Sequence, residues 1–121
     1  MMKRKKIIYS FIDAFSGIIE AFHRERNMGL HVLGALVALA ASYYFRVEKL
    51  EFLFVITAIF FVFITELINT AVEAAVDLNT EDFHPLARTA KNVAAGAVLF
   101  AAVFSLIVAY MVFAEKLRGF W

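Results

Sequence analysis

The sequence predicts an all-α membrane protein, with an N-terminal amphipathic surface helix followed by three transmembrane helices. Three observations carry that prediction. Of 121 residues, 63% are hydrophobic, against about 45–50% in an ordinary soluble domain, and so short a chain cannot enclose a core that would hide them. Three stretches are apolar over the roughly 20 residues that a bilayer crossing requires. The remaining apolar-rich segment, at the N-terminus, is periodic rather than continuous. Runs of this kind span as helices, because every backbone N–H and C=O must find its partner inside the segment.

The elements follow in order within one domain, 1–121. The surface helix is expected over about 3–26. Ile7, Ile8, Phe11, Ile12, Phe15, Ile18, Ile19 and Phe22 recur at helical spacing, and Lys6, Ser10, Asp13, Gly17, Glu20 and Arg24 take the other face. Such a helix lies in the membrane interface with its apolar side down. Asp13 and Glu20 interrupt the apolar character, so the segment does not read as a signal peptide despite Lys3, Arg4, Lys5 and Lys6 before it. Transmembrane helices are expected at 28–47, 52–76 and 92–113. The connection between the first two is short; the next, Asp77 to Asn92, carries the only proline, Pro85. Small residues such as Gly34, Ala38, Ser42, Ala94, Gly96 and Ala101 read as close-packing positions. Tyr43, Tyr44, Tyr110 and Trp121 read as aromatic anchors toward the outer interface, and His31 and His84 as interfacial polar residues.

Charge sets the expected orientation. The N-terminal segment and the second connection share one side of the membrane and hold eight of the 12 Lys and Arg residues; the other side holds four. Eight against four places the N-terminus in the cytoplasm. With no cysteine in the chain, disulfide scaffolds, Cys-ligated metal centres and thiol chemistry are excluded.

The chemistry-bearing residues sit where polar groups are costly. Glu66, Asn69, Thr70, Glu73 and Asp77 fall at steps of 0, 3, 4, 7 and 11 along the second span. At about 100° per residue these share one helix face. A carboxylate at mid-bilayer costs about 2.5–3.5 kcal/mol on insertion scales, so it should face other protein or a ligand. By topology this stripe occupies the cytoplasmic half, where Glu25, Lys91 and Asn92 also lie. Hard oxygen donors beside a lysine suit Mg²⁺ bridging carboxylates to a nucleotide's phosphates. From pattern alone, three readings stand: an enzyme site, an ion or proton pathway, or interhelical hydrogen bonding. Three helices alone are not expected to bury five polar groups, so facing copies of the chain are expected.

The run Glu66-Leu67-Ile68-Asn69-Thr70-Ala71-Val72-Glu73-Ala74-Ala75-Val76-Asp77-Leu78 resembles the signature of the small prokaryotic integral-membrane diacylglycerol kinase family. Ser10-Phe11, Ala14-Phe15 and Gly17, then Glu25-Arg26-Asn27 with His31, then Ala90-Lys91-Asn92-Val93-Ala94-Ala95-Gly96 agree in order, so the likeness covers about residues 6 to 113. The Glu-Arg-Asn block, the Asn-Thr-Ala core and the Val-Asp-Leu ending resemble the Gram-positive branch of undecaprenol kinases. The resemblance implies a homotrimeric, ATP- and Mg²⁺-dependent kinase of the bacterial inner membrane, with active sites shared between protomers. It implies transfer of the γ-phosphoryl group to a lipid alcohol, most closely undecaprenol, with diacylglycerol as the alternative; a small transporter or a non-catalytic member are more distant readings. Carried over by position, Glu25 and Glu73 would hold metal, and Glu66 would be the general base, a role for which Glu73 has also been considered. Lys6, Asn69, Asp77, Lys91 and Asn92 would contact nucleotide or substrate. Two departures stand out: Asn92 replaces the family's usual aspartate, and Met28-Gly29 replaces its usual Phe-Arg.

Overall fold

The computed structural model describes residues 6–79 and 83–119. Lys3, Arg4, Lys5 and Trp121 lie outside the described residues, as does the middle of the second connection. Four helices follow one another: α1 (Ile7–Arg24), α2 (Asn27–Tyr44), α3 (Lys49–Asn79) and α4 (Pro85–Arg118).

Local chemistry explains where they start and stop. The turn between α1 and α2 is only two residues long, and Glu25 within it is extended, at φ −106° and ψ 114°. Its N–H still closes onto the Ala21 carbonyl. The end of α2 is a Schellman motif: Arg46 N–H donates to the Tyr43 carbonyl and Val47 N–H to that of Ser42. Arg46 holds the left-handed conformation that this motif requires, at φ 52°. At the start of α3, Glu51 accepts from the Glu48 N–H at 3.0 Å, the acidic half of a capping box. α4 starts at Pro85 rather than near Asn92, because the proline is the first helical residue and not a loop residue. Its missing N–H has no helical partner to lose there, and His84 caps the end by accepting from Leu86 N–H at 3.1 Å.

α2, α3 and α4, of 18, 31 and 34 residues, are each long and apolar enough to cross a membrane. At about 1.5 Å per residue, α2 matches a hydrocarbon core near 30 Å, while α3 exceeds it by about half its thickness and α4 by about two thirds. Both are longer than the expected spans.

α3 and α4 form an antiparallel hairpin. Asp77 pairs with Lys91 near the connection, and Glu51 with Lys116 at the far ends. Its core is Val55, Ala58, Val108 and Val112, with Phe104 and Phe113 packed beside it. α2 leans on α3, and α1 touches both. An open, mostly apolar cleft of about 290 Å³ separates α2 from the hairpin. Gly34 lines it, and nothing within 4 Å would meet a Cβ at Gly34 or Gly96. Within one chain, therefore, these glycines are not close-packing positions. The large apolar residues of α1 are exposed, from Ile18 at 39% to Ile7 at 77%.

Candidate active site

The site is built on the α3 segment nearest the α3–α4 connection, and its polar stripe is graded. Glu66, Asn69 and Thr70 are buried, at 3%, 8% and 7% exposure; Glu73 is half-buried and Asp77 exposed. One chain thus buries three of the five polar groups by itself. The expectation that burial needs facing copies does not hold for these three, because α1 and α2 close over this face.

Each member has a definable neighbour. The Glu66 Oε2 atom lies 3.1 Å from His31 Nε2 across the α2–α3 interface. One turn on, Asn69 donates from Nδ2 to Glu73 Oε1 at 3.4 Å, and Asn69 Oδ1 is buried without a hydrogen-bond partner. Glu73 in turn faces the Glu25 carboxyl, which the extended turn between α1 and α2 delivers to it, and Lys91 lies within electrostatic reach. Lys91 Nζ also meets Asp77 Oδ1 at 2.7 Å. Thr70 is not free for chemistry, since its hydroxyl donates to the Glu66 backbone carbonyl at 2.9 Å.

The structure therefore brings together Glu25, Glu66, Asn69, Glu73, Asp77 and Lys91. Lys6 and Asn92 stand differently. Both are exposed, and among the described residues their side chains join none of these pairs. Met28, in the block where the sequence departs from the usual pattern, is the most buried large side chain, at 0% exposure. It works as packing beneath the α1–α2 turn.

His31 is the residue that the sequence reading missed, because it was placed as an interfacial polar group. Its ring is edge-on to Phe63, with centroids 6.2 Å apart and planes at 76°. Phe63 stacks on Phe22 of α1 at 6.3 Å. The sequence signals were its place in the block with Glu25-Arg26-Asn27 and its position within the expected first span, on the side where Glu66 sits.

Two facing carboxylates lie beside a buried amide oxygen with no partner, and the one lysine near them is shared with Asp77, so negative charge is in excess. Among the described residues no group of three or more His, Asp or Glu side chains could enclose a metal ion. A pair of carboxylates suffices, however, for a cation that takes its remaining ligands from water and phosphate, as Mg²⁺ does. The donor set thus fits such an ion when a nucleotide supplies the rest.

Comparison with known proteins bears on the same residues. The family described as prokaryotic diacylglycerol kinase matches residues 13–113. The chain is 40% identical over 108 residues to the undecaprenol kinase of Bacillus subtilis (strain 168), covering 89% of this chain and 88% of that protein. It is 36% identical over 103 residues to the diacylglycerol kinase of Synechocystis sp. (strain PCC 6803), covering 84% of this chain but 59% of that longer protein. Against the diacylglycerol kinase of Escherichia coli (strain K12) it is 27% identical over 102 residues, 84% of each chain.

Proposed function

The chain belongs to the prokaryotic diacylglycerol kinase family and is a membrane lipid kinase; from that premise we propose that it transfers the γ-phosphoryl group of ATP to the hydroxyl of undecaprenol. The choice of acceptor rests on the likeness to the Bacillus subtilis undecaprenol kinase. The site assignment rests on one observation, the buried Glu66 carboxylate standing on the same helix face as the Glu25–Glu73 pair.

Depth supports the division of labour. Counting from Phe52 at about 1.5 Å per residue, a 30 Å hydrocarbon core ends near Ala71. Glu66 then lies about 7 Å inside it, within reach of a lipid hydroxyl, while Glu73, Asp77 and Lys91 lie at the headgroup level, where a water-soluble nucleotide arrives. The exposed apolar face of α1 rests in the interface beside them. The N-terminus is cytoplasmic, as the lysine and arginine distribution indicates.

Glu25 and Glu73 would hold Mg²⁺, which when bound supplies positive charge to the phosphate oxygens. Lys91 adds a cation on the same side, and Asp77 holds its ammonium at 2.7 Å. Asn69 holds the Glu73 carboxylate and presents its unpartnered Oδ1 to the incoming ligand. Lys6 and Asn92, exposed in one chain, approach the nucleotide from α1 and α4. Glu66 accepts the proton of the acceptor hydroxyl as its oxygen attacks phosphorus. Positioning and charge stabilisation are the main demands of phosphoryl transfer. The working assembly is a homotrimer with active sites shared between protomers, a reading that rests on the family resemblance.

Purified protein given ATP and Mg²⁺ in mixed micelles should phosphorylate C55 prenol faster than diacylglycerol. Glu66→Gln, nearly isosteric, should remove turnover while elution and thermal unfolding stay unchanged. Near-normal turnover by that variant would remove Glu66 from the base role. Preference for diacylglycerol would overturn the choice of acceptor and leave the lipid kinase intact.

A further inference from the structure

A buried carboxylate that takes a proton is oriented by the donor that holds one of its oxygens. At Glu66 that donor is a single side chain among the described residues. The Glu66 side chain is 4% exposed, that of His31 is 24% exposed, and Oε2 stands 3.1 Å from the imidazole Nε2. With the carboxylate ionised, Nε2 carries the hydrogen and donates it. The ring cannot swing away freely. Phe63, one turn before Glu66 on α3, packs against it in a T-shaped contact, and Phe22 of α1 stacks on Phe63. Three helices therefore fix one nitrogen.

We propose that His31 is the positioning residue for the general base: its Nε2–H holds Glu66 Oε2, so that Oε1 alone receives the proton of the acceptor hydroxyl. This rests on reading Glu66 as the base. In the step itself the hydroxyl O–H bond breaks and its proton passes to Glu66 Oε1. The freed oxygen bonds to the γ-phosphorus as the bond from phosphorus to the bridging oxygen breaks, and ADP departs. His31 keeps its own proton throughout. An imidazole suits this role better than a lysine or arginine would. A permanent cation against the carboxylate would stabilise its charge and make it a poorer proton acceptor, whereas an imidazole offers a directed N–H on a flat ring. Leaving the same buried carboxylate with no donor would carry a desolvation cost with nothing to offset it.

The test compares His31→Phe, which keeps a ring against Phe63 but has no donor, with His31→Gln, whose side-chain amide restores one. On purified full-length protein with C55 prenol, ATP and Mg²⁺, His31→Phe should lose about 10- to 100-fold in kcat, a part of what a well-placed base contributes. KM for ATP should stay within about twofold, because the ring does not touch the nucleotide end, and His31→Gln should recover most of the lost rate. If His31→Phe fails to fold, His31→Met removes the donor with a flexible apolar side chain and is read in the same way. Unchanged kcat in the donor-less variant would overturn the inference. Equal losses in the Phe and Gln variants, together with a raised KM for ATP, would also overturn it, because they would mark a general packing role. Glu66→Gln assayed alongside separates the two levels. If it is inactive while His31→Phe is fully active, only His31 is reassigned; if it is active, the base assignment falls first.

Discussion

The two ends of α3 carry similar charges in opposite conditions. At the far end, Glu51 is satisfied within the chain. Lys116 Nζ sits 3.0 Å from each of its oxygens, and Oε1 also caps the helix through the Glu48 N–H. Near the connection the carboxylates are not balanced in this way. Glu73 faces Glu25, Asn69 Oδ1 is buried and unpartnered, and the nearby lysine is already engaged by Asp77. One end is a finished structural joint. The other leaves like charges facing and an amide oxygen unpartnered, which under the proposed function is how a phosphoryl-transfer site should look before its ligands bind.

The largest effect that would break this contrast is at Glu73. Glu73→Gln removes one of two facing carboxylates while keeping the bond from Asn69. Activity should fall by about 100-fold or more, as expected when an electrostatic group at a transferring phosphoryl centre is lost. Thermal unfolding in Mg²⁺-free micelles should stay level or move upward, because like charges in a half-buried place repel. Kinetics at several Mg²⁺ concentrations, paired with melting curves, check both halves. A variant that melts earlier yet turns over normally would make the cluster a structural joint like the other end.

A smaller effect sharpens the contrast from the far end. Lys116→Met deletes the ammonium but keeps an apolar stem, leaving Glu51 with its capping bond alone. The pair is about a quarter exposed on both sides, so about 1 kcal/mol of stability should be lost, the upper range for a partly solvated ion pair. kcat and KM for ATP should not change, since this joint lies at the opposite end of the hairpin. A fall in kcat comparable to that of Glu73→Gln would show that the two ends are not independent.

What the sequence made legible follows from how each feature is encoded. Glu66, Asn69, Glu73 and Asp77 were placed together because their spacing lies on one helix, and helical geometry fixes the angles between them. Lys91 could be added because the second connection joins the end of the second span to the start of the third on the same side. The partner of Glu66 was not legible in this way. His31 lies 35 residues away, and meeting it depends on how far α2 slides along α3. From the helix bounds, His31 is about 6 Å from the start of α2 while Glu66 is about 20 Å from the end of α3. Matching residues by depth within each helix would have paired Glu66 with something else. The start of α4 was missed for a different reason. The sequence reading places Pro85 in the second connection, yet it stands at the first helical position, where its missing N–H costs nothing.

The smallest predicted change concerns a joint that lies away from both ends of this comparison in chemistry but beside the far end in space. Arg46 adopts φ 52° because the Schellman motif that ends α2 needs a left-handed residue there, and the sequence supplies no glycine. For a residue with a Cβ that conformation costs about 1–2 kcal/mol. Arg46→Gly removes the penalty, though the freer unfolded chain takes part of the gain back, so a net stabilisation of about 0.5–1 kcal/mol is expected. Equilibrium unfolding in mixed micelles reads it directly. Kinase activity should be unaltered, because the turn joins α2 to α3 at the Glu51 end, far from Glu66. If the glycine variant is less stable instead, the Arg46 side chain contributes more to that end of the molecule than its backbone strain takes away, and the far joint is built from more than the Glu51–Lys116 pair.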